Sequence, residues 1–210
     1  MKSKSPGWQR LVVANLAPLA VLAAAAVGNN SFPDRYLLAL QEDRFAEWLT
    51  FWSFAVAAIC FAVAAIRCWR HQTRWVWFLV GMALFCTFVA GEEISWGQRL
   101  FGFQSPEYFL EENFQQEVNL HNLVSTGWRK LALKLIIFGF GVALPLVMTL
   151  RPIRQLLERW GVLSPPWELI PSFLAMLWLY QTYPWRFSGE VVELMLGLSI
   201  LLAALSMWIR

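Results

Sequence analysis

Residues 47–67, EWLTFWSFAVAAICFAVAAIR, run apolar from a terminal acid to a terminal base. About 20 such residues, wound as a helix, cross a hydrocarbon core of about 30 Å. Reading outward from this segment, further apolar runs lie at 11–27, 75–95, 131–150, 166–183 and 190–209. Each has about the length of a crossing helix. A membrane barrel would instead show alternating segments of about ten residues. The expected fold class is all-α, a polytopic membrane helical bundle of about six transmembrane helices plus one interfacial helix, in a single integral membrane domain over 1–210.

Composition agrees. The chain is 58% hydrophobic and 15% charged, carries thirteen tryptophans and has a mean hydropathy of +0.49, which does not describe a water-facing surface. The formal charge is only +3, and the basic residues cluster beside apolar runs, which argues against nucleic-acid binding. Cys60, Cys68 and Cys86 sit in or beside apolar runs without a CxxC pair. They read as small packing residues rather than as a disulfide framework or a thiolate metal site.

Punctuation follows the same scheme. MKSKSPGWQR leads into the 11–27 run, which is longer than a signal-peptide core and reads as a retained helix. Gly139, Gly141 and Pro145 are expected to bend the fourth span or admit a close neighbour. Pro165 and Pro166 suit the first turn of the fifth. In this six-span scheme one side receives Lys2, Lys4, Arg10, Arg67, Arg70, Arg74, Arg151, Arg154, Arg159 and Arg210. The other receives Arg35, Arg44, Arg99, Arg129, Lys130, Lys134 and Arg186, spread over more loop. The positive-inside bias then makes both termini cytoplasmic.

Between the third and fourth spans lies GEEISWGQRLFGFQSPEYFLEENFQQEVNLHN, residues 91–122, with six of the fourteen carboxylates and one of two histidines. Ser105-Pro106-Glu107 reads as a helix start, and an interfacial helix is expected over 105–123. On it Glu117 and His121, four apart, would share a face. If 92–99 stays helical, Glu92, Ser95, Trp96 and Arg99 form one stripe.

Helix rise turns sequence separation into depth. Trp75 to Glu92, Arg210 back to Glu193 and Arg151 back to Lys134 are each 17 residues, about 26 Å, so three helices bring ionisable groups to one level. Ionisable groups at that depth mark a functional hypothesis. The candidate catalytic set is Glu92, Glu93, Glu117, His121 and Glu193. Ser95, Gln98, Arg99, Asn119, Asn122, Lys134 and Glu190 are candidates for binding substrate. Carboxylates with one imidazole can hold a divalent metal, with Glu93, Glu117 and His121 as the candidate ligands, or divide acid and base roles between them. Plainer readings stand beside these. Glu190 and Glu193 suit a helix N-terminus, Lys134 can snorkel to headgroups, Ser95 can be a packing hydroxyl, and Tyr180 and Tyr183 can anchor a span end.

The strings EEISWGQR at 92–99 and NFQQEVNLHN at 113–122 resemble a group of uncharacterised bacterial multi-pass membrane proteins marked by E-E-x-S-W-G-Q and N-x-Q-x-E-x-N-L-H-N. That resemblance covers about 30 residues of the insert and implies a site without implying a reaction. A weaker similarity is to membrane hydrolases related to alkaline ceramidases, which hold zinc with three histidines. This chain has two, expected on opposite sides, so no zinc site is carried over. The resulting expectation is a multi-pass protein of the bacterial inner membrane, embedded in the lipid bilayer, with a polar site at its outer face. It would act as an enzyme on a lipid or lipid-linked substrate, as a proton- or cation-coupled transporter, or as a non-catalytic assembly partner.

Overall fold

The computed structural model describes residues 7–41, 45–113 and 115–208, with the side chains of Trp8, Arg99 and Trp208 outside that description. Helices α1 (Gly7–Ser31), α2 (Pro33–Leu40), α3 (Phe45–Arg70) and α4 (Val76–Glu93) come first. The short α5 (Gln98–Phe101) and α6 (Glu107–Glu112) follow. α7 (Thr126–Phe138) continues through a π-helical turn, Gly139–Ala143, into α8 (Leu144–Val147). α9 (Arg151–Arg159), α10 (Ile170–Thr182, led by the 3-10 turn Trp167–Leu169) and α11 (Ser188–Trp208) complete the chain. Among the described residues there is no strand.

Among the described residues five helices are long and apolar enough to cross a membrane: Gln9–Ser31, Phe45–Arg70, Val76–Glu93, Thr126–Val147 and Ser188–Met207. The expected fifth span, 166–183, is present as a shorter rod. Its 3-10 turn and helix cover 3 and 13 residues, and Phe173, Met176 and Leu179 are sealed in the core while Leu174 and Trp178 face outward. α3 and α11 are the central pair. Phe54, Phe61, Val192, Met195 and Ile200 are fully enclosed there, and α4 packs along α3. Gly197 of α11 lies so close to α3 that an added Cβ would stand 3.1 Å from the Ser53 side chain, the small-residue contact that membrane helices use.

Side-chain ties identify the two ends of the bundle. At one end Arg10 pairs with Glu168 at 3.9 Å, and Asn15, 5% exposed within α1, donates to the Glu168 carbonyl at 2.6 Å. The Asn15 Oδ1 accepts from the Ser172 amide and hydroxyl. α10 is therefore fastened to α1 below the level of Arg10. At the same end Arg74 donates to the Arg159 carbonyl, and Gly161, φ +78, fits against the Arg74 carbonyl where a Cβ would stand at 2.2 Å. The turn after α3, the amphipathic α9 and the start of α1 thus share one end. At the other, Tyr36 of α2 donates to the Arg186 carbonyl at 2.8 Å, and Lys134 donates to Gln181. Burial, with Tyr183 nearby, pushes the Tyr36 phenol up to about 12, so it remains a donor. The insert belongs to this second end.

The expected interfacial helix over 105–123 is corrected to six residues, Glu107–Glu112. Asn113 ends it: its side chain donates to the carbonyls of Glu117 and Asn119, and its Oδ1 accepts the Gln115 amide. Asparagine side chains that bond backbone in this way compete with helix, and Gln116 has φ 56. The third span also ends sooner than expected. After Glu93 the chain turns at Ile94 and passes through three residues of positive φ, Ser95, Trp96 and Gly97, so the stripe through Arg99 does not form.

Candidate functional site

Where α4 ends, two layers of polar residues lie on top of one another. The upper layer is a hydrogen-bonded knot that holds the 103–122 segment. Glu92, 5% exposed, accepts four donors: Trp96 Nε1 on Oε1 at 2.6 Å, and on Oε2 the amides of Leu120 and His121, each at 2.7 Å, with His121 Nδ1 at 3.2 Å. Trp96 can reach back one turn only because the elbow at 94–97 folds its ring over Gly91, where an added Cβ would stand 3.0 Å away.

Beside this, Ser95 donates to Glu117 Oε2 at 2.6 Å, and Asn119 donates to the same oxygen. Gln98 bridges the segment, donating to Ser105 and accepting the Val118 amide at 2.7 Å, while Ser105 donates to the Gln116 carbonyl. Asn122 donates to Gln115 and accepts from Arg129 Nη1. Of the expected substrate-binding residues, Ser95, Gln98 and Asn119 therefore stabilise the fold of the loop. Ser95 is 1% exposed, so its hydroxyl is a structural donor to Glu117 rather than an accessible nucleophile.

The lower layer is a cluster of partly buried acids contributed by three helices. Within electrostatic reach of the Glu93 carboxyl are Glu193, Glu190, Glu47 and Glu92. Around Glu193 stand His121, Arg129 and Glu47. Glu93, one step past the Glu92 of the depth count, lies within electrostatic reach of Glu193 and of Glu190, one turn before it on α11. Lys134 does not join them, since its Nζ is 2.6 Å from Gln181 on α10. Sequence reasoning missed Glu47, treated only as the start of a span, and Arg129, treated only as a loop charge. Tyr180, read as an anchor, lies within reach of Glu193 and Arg129. Glu47 could have been found by the same count, 20 residues back from Arg67 on α3, about 30 Å.

The pairing expected on the interfacial helix is also corrected. Glu117 turns to Ser95 and Asn119, and His121 turns to Glu92. The trio Glu93, Glu117 and His121 does not meet as a ligand set. Among the described residues no group of three or more His, Cys, Asp or Glu side chains is disposed to hold a metal ion.

What the arrangement offers is a carboxylate–imidazole dyad. In the tautomer whose Nδ1 donates to Glu92, the His121 ring presents the lone pair of Nε2, and the side chain is 42% exposed. A groove of about 460 Å³ between α3 and α4 is lined by Ala58, Ile59, Val80 and Leu84 among other residues and is almost wholly apolar. It lacks the groups for acid–base chemistry. Comparison with protein-family models, with curated proteins and with solved structures gives no match for the chain.

Proposed function

We propose that the chain is a membrane-embedded enzyme acting on a lipid or lipid-linked substrate, with acid–base chemistry in the recess beneath the 103–122 segment. The observation that carries this reading is the Glu92–His121 dyad standing beside the Glu93 and Glu193 carboxyls. Glu92 orients the ring and supports an imidazolium once Nε2 has taken a proton, the division of labour that makes histidine an efficient base. Glu193 and Glu93 are the groups from which a proton returns to a leaving atom. Glu190 and Glu47 complete the wall, and Arg129 supports negative charge. The substrate class follows from position, because the recess opens at the ends of apolar helices, where lipid headgroups stand. The excess of Lys and Arg at the end opposite the insert supports a bacterial inner-membrane orientation with cytoplasmic termini and an outward-facing recess.

The test is a comparison of membrane lipids in the native host for wild type, a deletion, and the variants His121→Ala and Glu193→Gln. The variants should reproduce the lipid change of the deletion. Lipids identical in all four strains would sink the enzyme reading.

Four carboxylates facing one another also favour a second reading, a proton- or cation-coupled carrier. It would show as substrate-dependent ion flux in proteoliposomes that Glu193→Gln abolishes. Against it stands the opposite end, where the buried acid Glu168 is already paired with Arg10. The exposed Phe101, Tyr108 and Leu120 support a third, a docking face for an assembly partner, which would show as dependence on these apolar residues alone.

A further inference from the structure

Three cations occupy the first nine residues of α7: Arg129, Lys130 and Lys134. Helix stability does not account for them, since positive charge near a helix N-terminus opposes the macrodipole. Each has an uncharged partner. Arg129 donates to the Asn122 amide oxygen, Lys130 stands 6.0 Å from the centroid of the Tyr183 ring, and Lys134 donates to the Gln181 amide oxygen. Glu193 lies within electrostatic reach of Arg129, while the contacts of Lys130 and Lys134 are to uncharged groups.

We propose that this basic end of α7 is a clamp for the phosphate of a membrane-borne amphiphile, which gives the substrate of the proposed enzyme its class. The proposal rests on that reading for what happens to the ligand, though not for its binding. Three features give the ligand its shape. Lys130 and Lys134, four apart, share a face, and two ammonium groups with a guanidinium fork match the several oxygens and the charge of a phosphate better than a single carboxylate. Leu131, Leu135 and Phe138 form an exposed apolar stripe beside them on the same helix, and that is where the tail would lie. Arg129 also reaches both Asn122, next to His121, and Glu193. A phosphate held here therefore presents its ester linkage to the recess.

The test uses the full chain in phosphatidylcholine nanodiscs, titrated with short-chain phosphatidic acid, with the matching diacylglycerol and with inorganic phosphate. Phosphatidic acid should bind about tenfold or more tightly than either control, and Lys130→Gln/Lys134→Gln should weaken it by about tenfold. Arg154→Gln, at the opposite end, should leave its affinity unchanged. Wild-type affinity in the folded double variant would overturn the clamp, as would an equal loss in Arg154→Gln. Inorganic phosphate binding as tightly as the lipid would overturn the membrane source. If the double variant melts, Lys130→Gln alone carries the test, since that side chain is exposed. Unchanged host lipids in His121→Ala would fell the enzyme reading while leaving the clamp standing on the titration.

Discussion

Glu92 does more for this end of the protein than its neighbour Glu93, although the two are adjacent and chemically alike. Its carboxylate receives a ring nitrogen from Trp96, two successive amides and the His121 imidazole, which makes it the peg on which the loop hangs. Replacing Glu92 with alanine leaves those donors without a partner, at about 1–3 kcal/mol for each buried group stranded. Amide hydrogen exchange at 118–122 should accelerate by about tenfold or more in Glu92→Ala, since about 1.4 kcal/mol of local opening energy is a factor of ten. The same segment should exchange at the wild-type rate in Glu93→Ala. An equal acceleration in both would contradict the assignment. The sequence announces both acids as unusual by their depth, but it cannot divide the roles. Which of two neighbours turns toward the loop depends on the positive φ values at 95–97, and only Gly97 of those three is a residue type that signals such a turn.

Among the elements, the contact between α7–α8 and α10 decides whether the basic face of α7 stays opposite the end of α10. Gly141 lies in the π-helical turn, and a Cβ added there would sit 2.1 Å from the ring of Phe173, itself fully buried. Gly141→Ala should therefore lower stability by about 1–3 kcal/mol, as overpacking does. Gly139→Ala, where nothing lies within 4 Å, should be close to neutral. The pair can be read by unfolding in mixed detergent, and equal midpoints would refute the close packing. Gly139, Gly141 and Pro145 are legible in the sequence as a bend, and the structure puts the π turn there. The helix expected over 105–123 stops at Glu112 for a physical reason. Tyr108, Phe109 and Leu110 resemble a helix face, but Asn113 commits its side chain to the backbone groups of Gln115, Glu117 and Asn119, an outcome that apolar periodicity does not register.

At the scale of the whole molecule, the ties at the two ends fix which segments share a side. Hydropathy makes the crossing helices legible because length and apolarity are properties of each segment alone. Which acids face one another is a property of packing, so the depth count can give Glu47 its level but only the assembly of α3, α7 and α11 turns it and Arg129 toward Glu193. Single cysteines placed at Gln72, Arg154 or Glu111, in a background lacking Cys60, Cys68 and Cys86, test the arrangement. In sealed vesicles of one orientation a membrane-impermeant maleimide should distinguish Glu111 from the other two positions. Labelling of Gln72 and Glu111 from the same side would refute it.

The shortness of α10 has a consequence for the surrounding lipid. Its turn and helix measure about 25 Å, against a hydrocarbon layer of about 30 Å. Asn15 holds its lower end up inside the bundle, so α10 cannot correct the difference by sliding. Lipid beside its outward-facing Leu174 and Trp178 must thin to meet it. The protein should therefore sit more comfortably in membranes of shorter acyl chains, with the thinning expected on the flank where Lys134 of α7 meets Gln181 of α10.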